Sequence, residues 1–336
     1  MTDENIYQKI GKFRDQPPRS SLCSKIVRFS RDFLKKKRLP VRGWLTSILR
    51  DSKGKGGWWN NPFVVMKVNE LVCGKQVEGR DQGLICCLKD RYSERIPLPK
   101  GVSVGCGNGS KEIVLLQSGI VEHFDLFELS KKKIDDGVKL AKSSGVSDRV
   151  NFFCGNAFEI VNKNSLYDIV VWCDSLHHMP DVDYALRWSR KILRNGGIFY
   201  LSDYVGPNRL QWNEKIINMA RDIRKNLDQK FIVECDKPFH YPPAEICPPN
   251  IEELVAKDPS EAWDSVRIIP SIEKYFPEIE VFPVGGVVYF AALNGCIHNF
   301  DSKKDRDILG LLMLIDRMYM EKGETLYAAA LGCKAE

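Results

Sequence analysis

Nowhere in its 336 residues does the chain hold an apolar run of about 18, the length a membrane-spanning helix needs. Its N-terminus, MTDENIYQKIGKFRD, is charged and lacks the apolar core of a signal peptide, so a cytoplasmic protein is expected. There is no C-x-x-C. Of 11 cysteines the one close pair is Cys86-Cys87, and the rest stand singly. That spacing excludes a metal-binding or disulfide framework as the organising device; the thiols are expected to be reduced, small apolar residues, and no metal is expected. The phosphate loop G-x-x-x-x-G-K-[ST] is missing, and so is the dinucleotide pattern G-x-G-x-x-G.

What is present is a globular composition, 43% hydrophobic and 28% charged, with a net charge of +6 that is unevenly placed. Residues 1–60 hold 15 Lys/Arg against 5 Asp/Glu, a surplus of ten, which leaves the remainder at −4. The surplus peaks in KIVRFSRDFLKKKRLPVRGW, where Ile26, Val27, Phe29, Phe33 and Leu34 can share a helix face. Such a segment suits contact with an anionic membrane surface, a phosphorylated substrate or nucleic acid. A solvated helix packed by its apolar face on the main domain is the plainer reading, and the favoured one. The chain divides into a basic, mostly helical N-terminal extension, residues 1–95, and a larger domain, residues 96–336.

From about residue 98 strand and helix signals alternate. GVSV, EHFDLFEL, RVNFFCGNA, YDIVVWCDS and IFYLSDYV read as five strands, the fourth apolar enough for burial on both faces. Between them lie the start of a helix in SKEIVLLQSG, a helix in SKKKIDDGVKLAKSSG and one in DYALRWSRKILRNGG. The second is capped by Ser130, with Ile134, Val138, Leu140 and Ala141 inward, and the third ends at Gly196-Gly197. Upstream, Pro62 suits the start of a helix running through Leu71, with Trp58, Trp59 and Phe63 at its head. Residues 206–277 read as an irregular, proline-rich insertion after strand five. EIEVFPV then gives a sixth strand, VVYFAALNG is open between strand and helix, RDILGLLMLIDRMYMEKG is a helix, and TLYAAALGCK a last strand. Alternation of this kind implies a mostly parallel, doubly covered α/β sheet that binds ligands at the carboxyl ends of its strands.

The stretch GVSVGCGNGSKE places Gly105, Gly107 and Gly109 between a strand and a helix. Glycine there permits a tight turn and close approach of a ligand to helix-start amides. The second strand ends on Glu128, about twenty residues on, where an acid suits a ribose diol. The third strand ends on Asn156, whose amide can both donate to and accept from an adenine edge.

SVGCGNGSKE, DLFELS, GNAF, YDIVVWCDSLHHMPD and LRNGGIFYLSDYVGP, in this order and spacing, resemble the class I S-adenosylmethionine-dependent methyltransferases over residues 98–206. WWNNPFVVMKVNELVCGK, DYVGPNRLQW, DPSEAWDS and LYAAALGCK are further similar to a group of bacterial methyltransferase-like proteins whose substrates are mostly unassigned. The resemblance implies a Rossmann-like seven-stranded sheet with a reversed last strand, and S-adenosyl-L-methionine as cofactor. It implies methionine near Gly105 and Gly107, ribose on Glu128, and adenine near Leu129, Asn156 and Ala157. Cys106 and Asp174 complete the candidate cofactor contacts. Two positions depart from the pattern: Ser103 stands where many members carry an acid, which removes the usual anchor of the methionine amine, and Asn156 stands where many have Asp.

For transfer to a hydroxyl, a base is also required, and histidine is the commonest. His177 and His178, just after the fourth strand, are candidates, with Asp203 and Tyr204 placed where an acceptor would sit. Tyr204 suits either a cation–π contact with the sulfonium or core packing. Arg209 suits an acidic substrate group or a surface carboxylate, and FHYPP, with His240 and Tyr241, a lid. A small-molecule O- or N-methyltransferase is the expected function. The alternative is a non-methylating use of the cofactor, in which its aminobutyryl arm cyclises and methylthioadenosine leaves. A nucleic-acid substrate is not expected, because no asparagine-proline-proline-aromatic motif closes the fourth strand.

Overall fold

The computed structural model describes residues 57–162, 166–233, 246–293 and 295–335. The basic run before residue 57, and His240 and Tyr241, lie outside the described residues. Asn61 starts the first described helix, α1 (Pro62–Cys73), by accepting from the amides of Phe63 and Val64. Proline at the first helical position loses no bond there. A second helix, α2 (Gln82–Tyr92), packs beside it.

Strand β1 (Leu98–Val104) opens the sheet. It is followed by α3 (Ser110–Gln117), β2 (Val121–Glu128), α4 (Lys131–Ser143), β3 (Val150–Cys154) and β4 (Tyr167–Cys173). Next come α5 (Val182–Ile192), β5 (Leu193–Tyr204), α6 (Glu214–Asn226) and α7 (Ile268–Tyr275). Strand β6 (Glu280–Gly285), a π-helical turn (Val287–Ala292), α8 (Arg306–Met320) and β7 (Tyr327–Cys333) finish the chain. The seven strands lie in the order β3-β2-β1-β4-β5-β7-β6, and β7 runs antiparallel to both neighbours. The sheet is thus the Rossmann-like one the sequence implied, with its last strand reversed.

Register brings the functional ends together. Val104 pairs with Phe127, Glu128 with Cys154, Ser103 with Val171, and Cys173 with Ser202. The chain leaves β1 toward β2 on one side and returns through β4 on the other, so the crevice of an open α/β sheet falls beside the glycine turn. All seven residues of β4 are buried. Alternate residues feed two cores. One, under α1, α2, α3, α6 and α8, includes Ile169 and Val171; the other, under α5 and α7, includes Val170, Trp172, Phe199 and Phe276. Fully burying such side chains contributes about 1.5–3 kcal/mol each.

Three expectations need correction. Helix α5 ends at Ile192, and Gly196-Gly197 lie instead in the bulged start of β5, where Gly196 adopts φ 72° and the register with β4 shifts. Val138 is exposed; the buried stripe of α4 is Ile134, Gly137 and Ala141. Residues 206–277 are not simply irregular, since α6 packs on the π-helical turn and buries Ile216, Ile217, Met219 and Ala220 in the first core. In the segment left open between strand and helix, Val287–Ala292 form the π-helical turn. No helix among the described residues is long and apolar enough to cross a membrane.

Gly137 shows how tightly α4 is drawn against the glycine turn. A Cβ there would meet the backbone oxygen of Asn108 at 2.8 Å and Phe152 Cε1 at 2.7 Å. Gly→Ala inside an open helix adds about 1 kcal/mol of stability. At this site Gly137→Ala is expected to lower it, read as a fall in the urea midpoint without a change of slope.

Candidate functional site

The glycine turn is fastened before any ligand arrives. The amides of Gly105 and Cys106 donate to the carbonyl of Phe127, at 2.8 and 3.1 Å, and that of Gly109 donates to Cys106. Gly105 (φ 68°) needs glycine for a second reason: a Cβ would lie 2.9 Å from that of Ser175. Gly107 (φ 61°) has nothing within 4 Å of a would-be Cβ, so the turn presents an open surface there. Glu128 faces this surface, not bulk solvent. One carboxylate oxygen accepts from Gly107 N at 3.1 Å, the other from the amides of Leu129 and Ser130 at 2.8 and 2.9 Å.

The other residues expected at a nucleoside lie as follows. Leu129 is exposed, Ala157 buried, and Asn156 caps the next helical turn by accepting from Phe158 N at 3.1 Å. That bond uses the amide oxygen of Asn156 and leaves its NH₂ for an acceptor. Cys106 lies between two acids; burial first, then Glu112 and Glu128, push its thiol well above the ordinary range, so it is an inert lining group. Taken with the open surface over Gly107, an acid at the end of β2 and an amide at the end of β3 fit a nucleoside.

On the other side of the glycine turn, residues that sequence reasoning missed gather round Asp174, which it had named. Asn69, buried in α1, donates from Nδ2 to the carbonyls of Val77 and Gly79 and accepts from Gly83 N. This pins a loop that carries Arg80 to the end of β4. There Arg80 and Lys111 both bind Asp174 Oδ2, and Lys111 Nζ also donates to the carbonyl of Cys173 at 2.9 Å. Burial would raise the Asp174 carboxyl, but the two cations outweigh it and hold the group far below the usual range. Asp174 itself sits at φ 47°, a conformation uncommon outside glycine.

The histidines stand on the opposite flank. Asp203 has no solvent exposure. Its Oδ2 accepts from Ser175 N and Leu176 N at 3.0 and 2.7 Å; its Oδ1 accepts from Tyr204 N at 2.7 Å and pairs with His177 Nδ1. Asp203 therefore does not face an acceptor; it orients His177. Of the two readings of Tyr204, its surroundings match core packing: its ring packs among Phe290, Tyr327 and His177, and its hydroxyl donates to Pro207 O. Burial opposes charge on His177, yet Asp203, then Glu261 and Asp174, raise it to about 9. Burial and the charge of His177 lower His178, which meets Ser260 Oγ at 3.1 Å.

Glu261 Oε1 lies 3.7 Å from His177 Nε2, on the side of the ring that Asp203 leaves open. Arg209 holds that segment by donating to the carbonyls of Pro259 and Glu261 while stacking 4.5 Å over Trp263, a role unlike either expected for it. Ligand atoms of His177, His178 and Glu261 lie within 4.8 Å of one another, the set that could gather round a divalent ion. A proton on His177 competes directly with such an ion. No sequence signal marks Arg80 or Glu261. Lys111 and Glu112 could have been noticed, because they directly follow the glycine turn.

Residues 102–239 match a family described as "Methyltransferase domain". The chain is 32% identical over 121 residues to 27-O-demethylrifamycin SV methyltransferase of Amycolatopsis mediterranei (strain S699), covering 35% of this chain and 44% of that one. It is 26% identical over 121 residues to Methyltransferase GfsG of Streptomyces halstedii, covering 35% and 43%. The matches thus span less than half the length of either curated relative. A solved phosphoethanolamine N-methyltransferase 2 of Haemonchus contortus, in complex with S-adenosyl-L-methionine, is similar at 14% identity and TM-score 0.45, covering 85% of this chain and 59% of that one. Strand order and the match over residues 102–239 agree on a methyltransferase-like domain within the chain.

Proposed function

We propose that the protein methylates a hydroxyl oxygen of a small molecule, using S-adenosyl-L-methionine. The observation that carries this reading is the Asp203–His177 pair, a buried carboxylate holding one ring nitrogen while the other faces the segment around Glu261. An amine acceptor needs only to be neutral, whereas a hydroxyl needs a base; an oriented histidine suits the hydroxyl. A relative named for methylating 27-O-demethylrifamycin SV supports the same acceptor class.

The cofactor supplies a methyl carbon made electrophilic by its sulfonium. Glu128 would hold the ribose diol, with Leu129, Asn156 and Ala157 at the adenine and Gly105 and Gly107 at the methionine. Alignment of acceptor and methyl carbon, with water excluded, can supply about 7–11 kcal/mol of the barrier. His177 does the remaining proton work. Its imidazolium must first lose the Nε2 proton, keeping the Nδ1 proton on Asp203, and then accept the acceptor's hydroxyl proton at Nε2. Asp203 keeps the resulting imidazolium in place without being protonated itself.

Incubation with S-adenosyl-L-methionine labelled in its methyl group, plus hydroxylated small-molecule acceptors, is expected to yield labelled ether and S-adenosylhomocysteine. Methylthioadenosine as the product would instead establish the cyclising alternative.

A pH series gives the second check. Because His177 is raised to about 9, kcat/KM should climb with pH and level off above about 9. Asp203→Asn should move that limb down toward the ordinary histidine value of about 6.5 and slow the reaction. His177→Asn should cost about 10²–10⁴-fold in kcat, the usual worth of a general base, while leaving nucleoside affinity intact. A pH-independent rate in the wild type, or full activity in His177→Asn, would remove the base from the mechanism.

A further inference from the structure

Strand β1 lacks the acid that the family resemblance leads one to expect two residues before Gly105; Ser103 is there instead. The structure does not leave the place without a carboxylate. Ser103 Oγ donates to Glu112 Oε1 at 2.7 Å, so an acid from the first turn of α3 reaches back over the strand. Glu112 is 1% exposed, and its second oxygen, Oε2, has no hydrogen-bond partner. Two more polar atoms at the same crevice are buried without hydrogen-bond partners, Ser175 Oγ beside Gly105 and Arg80 Nε, from which Asp81 Oδ2 stands 3.7 Å away.

An acceptor, a donor and a hydroxyl are thus held out of water on three separate segments around one turn. Native proteins seldom leave such groups unmatched. The surrounding charge is of both signs. Lys111 and Arg80 share a single oxygen of Asp174, so each retains donor capacity, and the Arg80 guanidinium is steadied 4.8 Å over Trp59. Anion-binding and cation-binding groups stand side by side, which matches a zwitterion and suits neither a simple anion nor a simple cation.

We infer that Glu112 replaces the carboxylate missing from β1, and that with Arg80 and Lys111 it binds the zwitterionic amino-acid end of the cofactor. Glu112 and Asp174 meet the ammonium; Arg80 and Lys111 meet the carboxylate. Arg80 comes from the segment before β1, so cofactor binding also ties that segment to the sheet. This assignment rests on the proposed use of S-adenosyl-L-methionine.

The test compares two nucleosides by calorimetry on the full chain. S-adenosylhomocysteine carries both charges, and 5′-methylthioadenosine carries neither. The wild type should bind S-adenosylhomocysteine at least tenfold more tightly. Glu112→Gln and, separately, Arg80→Met should weaken S-adenosylhomocysteine tenfold or more while leaving 5′-methylthioadenosine within twofold, which also shows that each variant is folded. Equal loss of both ligands, or no loss of either, overturns the inference. A wild type that binds both nucleosides equally well overturns it too, while leaving the nucleoside site standing. A wild type that binds neither overturns the cofactor reading itself.

Discussion

A carboxylate sealed from water must have its oxygens filled, and Asp203 meets that demand in full. Its partners are three backbone amides and one imidazole, drawn from the end of β5 and the turn after β4. One side chain therefore joins two adjacent strand ends, fixes the path of the chain through Leu176 and His177, and sets the orientation of the ring. The proton affinity of His177 comes from the same contact. Stability, geometry and acid–base behaviour are here a single interaction, so none of them can be altered alone.

The crevice is assembled on the same economy. Parallel strands deliver their carboxyl ends to one edge of the sheet, and register decides which residues meet there. Glu128 is already bonded to Gly107 N and two further amides, so under the proposed function a ribose would exchange partners there with little rearrangement of backbone. The other half of the crevice holds opposite charges in close company, shielded enough for them to act strongly. The two flanks differ accordingly: one is a single carboxylate, Glu128, held by backbone amides, and the other is a set of ion pairs.

Much of this was legible in the sequence, and the reasons are local. Glycines at alternate positions between an apolar run and a helix signal a turn because few other residues take φ values near 60–70°. Glu128 could be placed because strand length and turn spacing fix where β2 ends. The uniformly apolar β4 could be read as doubly covered. Errors arose where local signals compete. Gly196-Gly197 looks like a helix stop, but bonds to Lys334, just past the end of β7, draw those residues into the sheet. Val138 fits the apolar period of α4, yet the close approach of Asn108 puts Gly137 on the inner face in its place.

Sequence alone determined the fold class, the glycine turn and the acid beside it, since each depends on neighbours a few residues away. Only the tertiary structure decided the fate of Asp203 and Tyr204, both nominated for the acceptor and both found buried. It alone brought Arg80 to Asp174 across 94 positions, and Asp203 to His177 across 26. Ion pairs and buried hydrogen bonds of this kind leave no period or spacing in the chain; they exist because folding excludes water and obliges distant polar groups to satisfy one another.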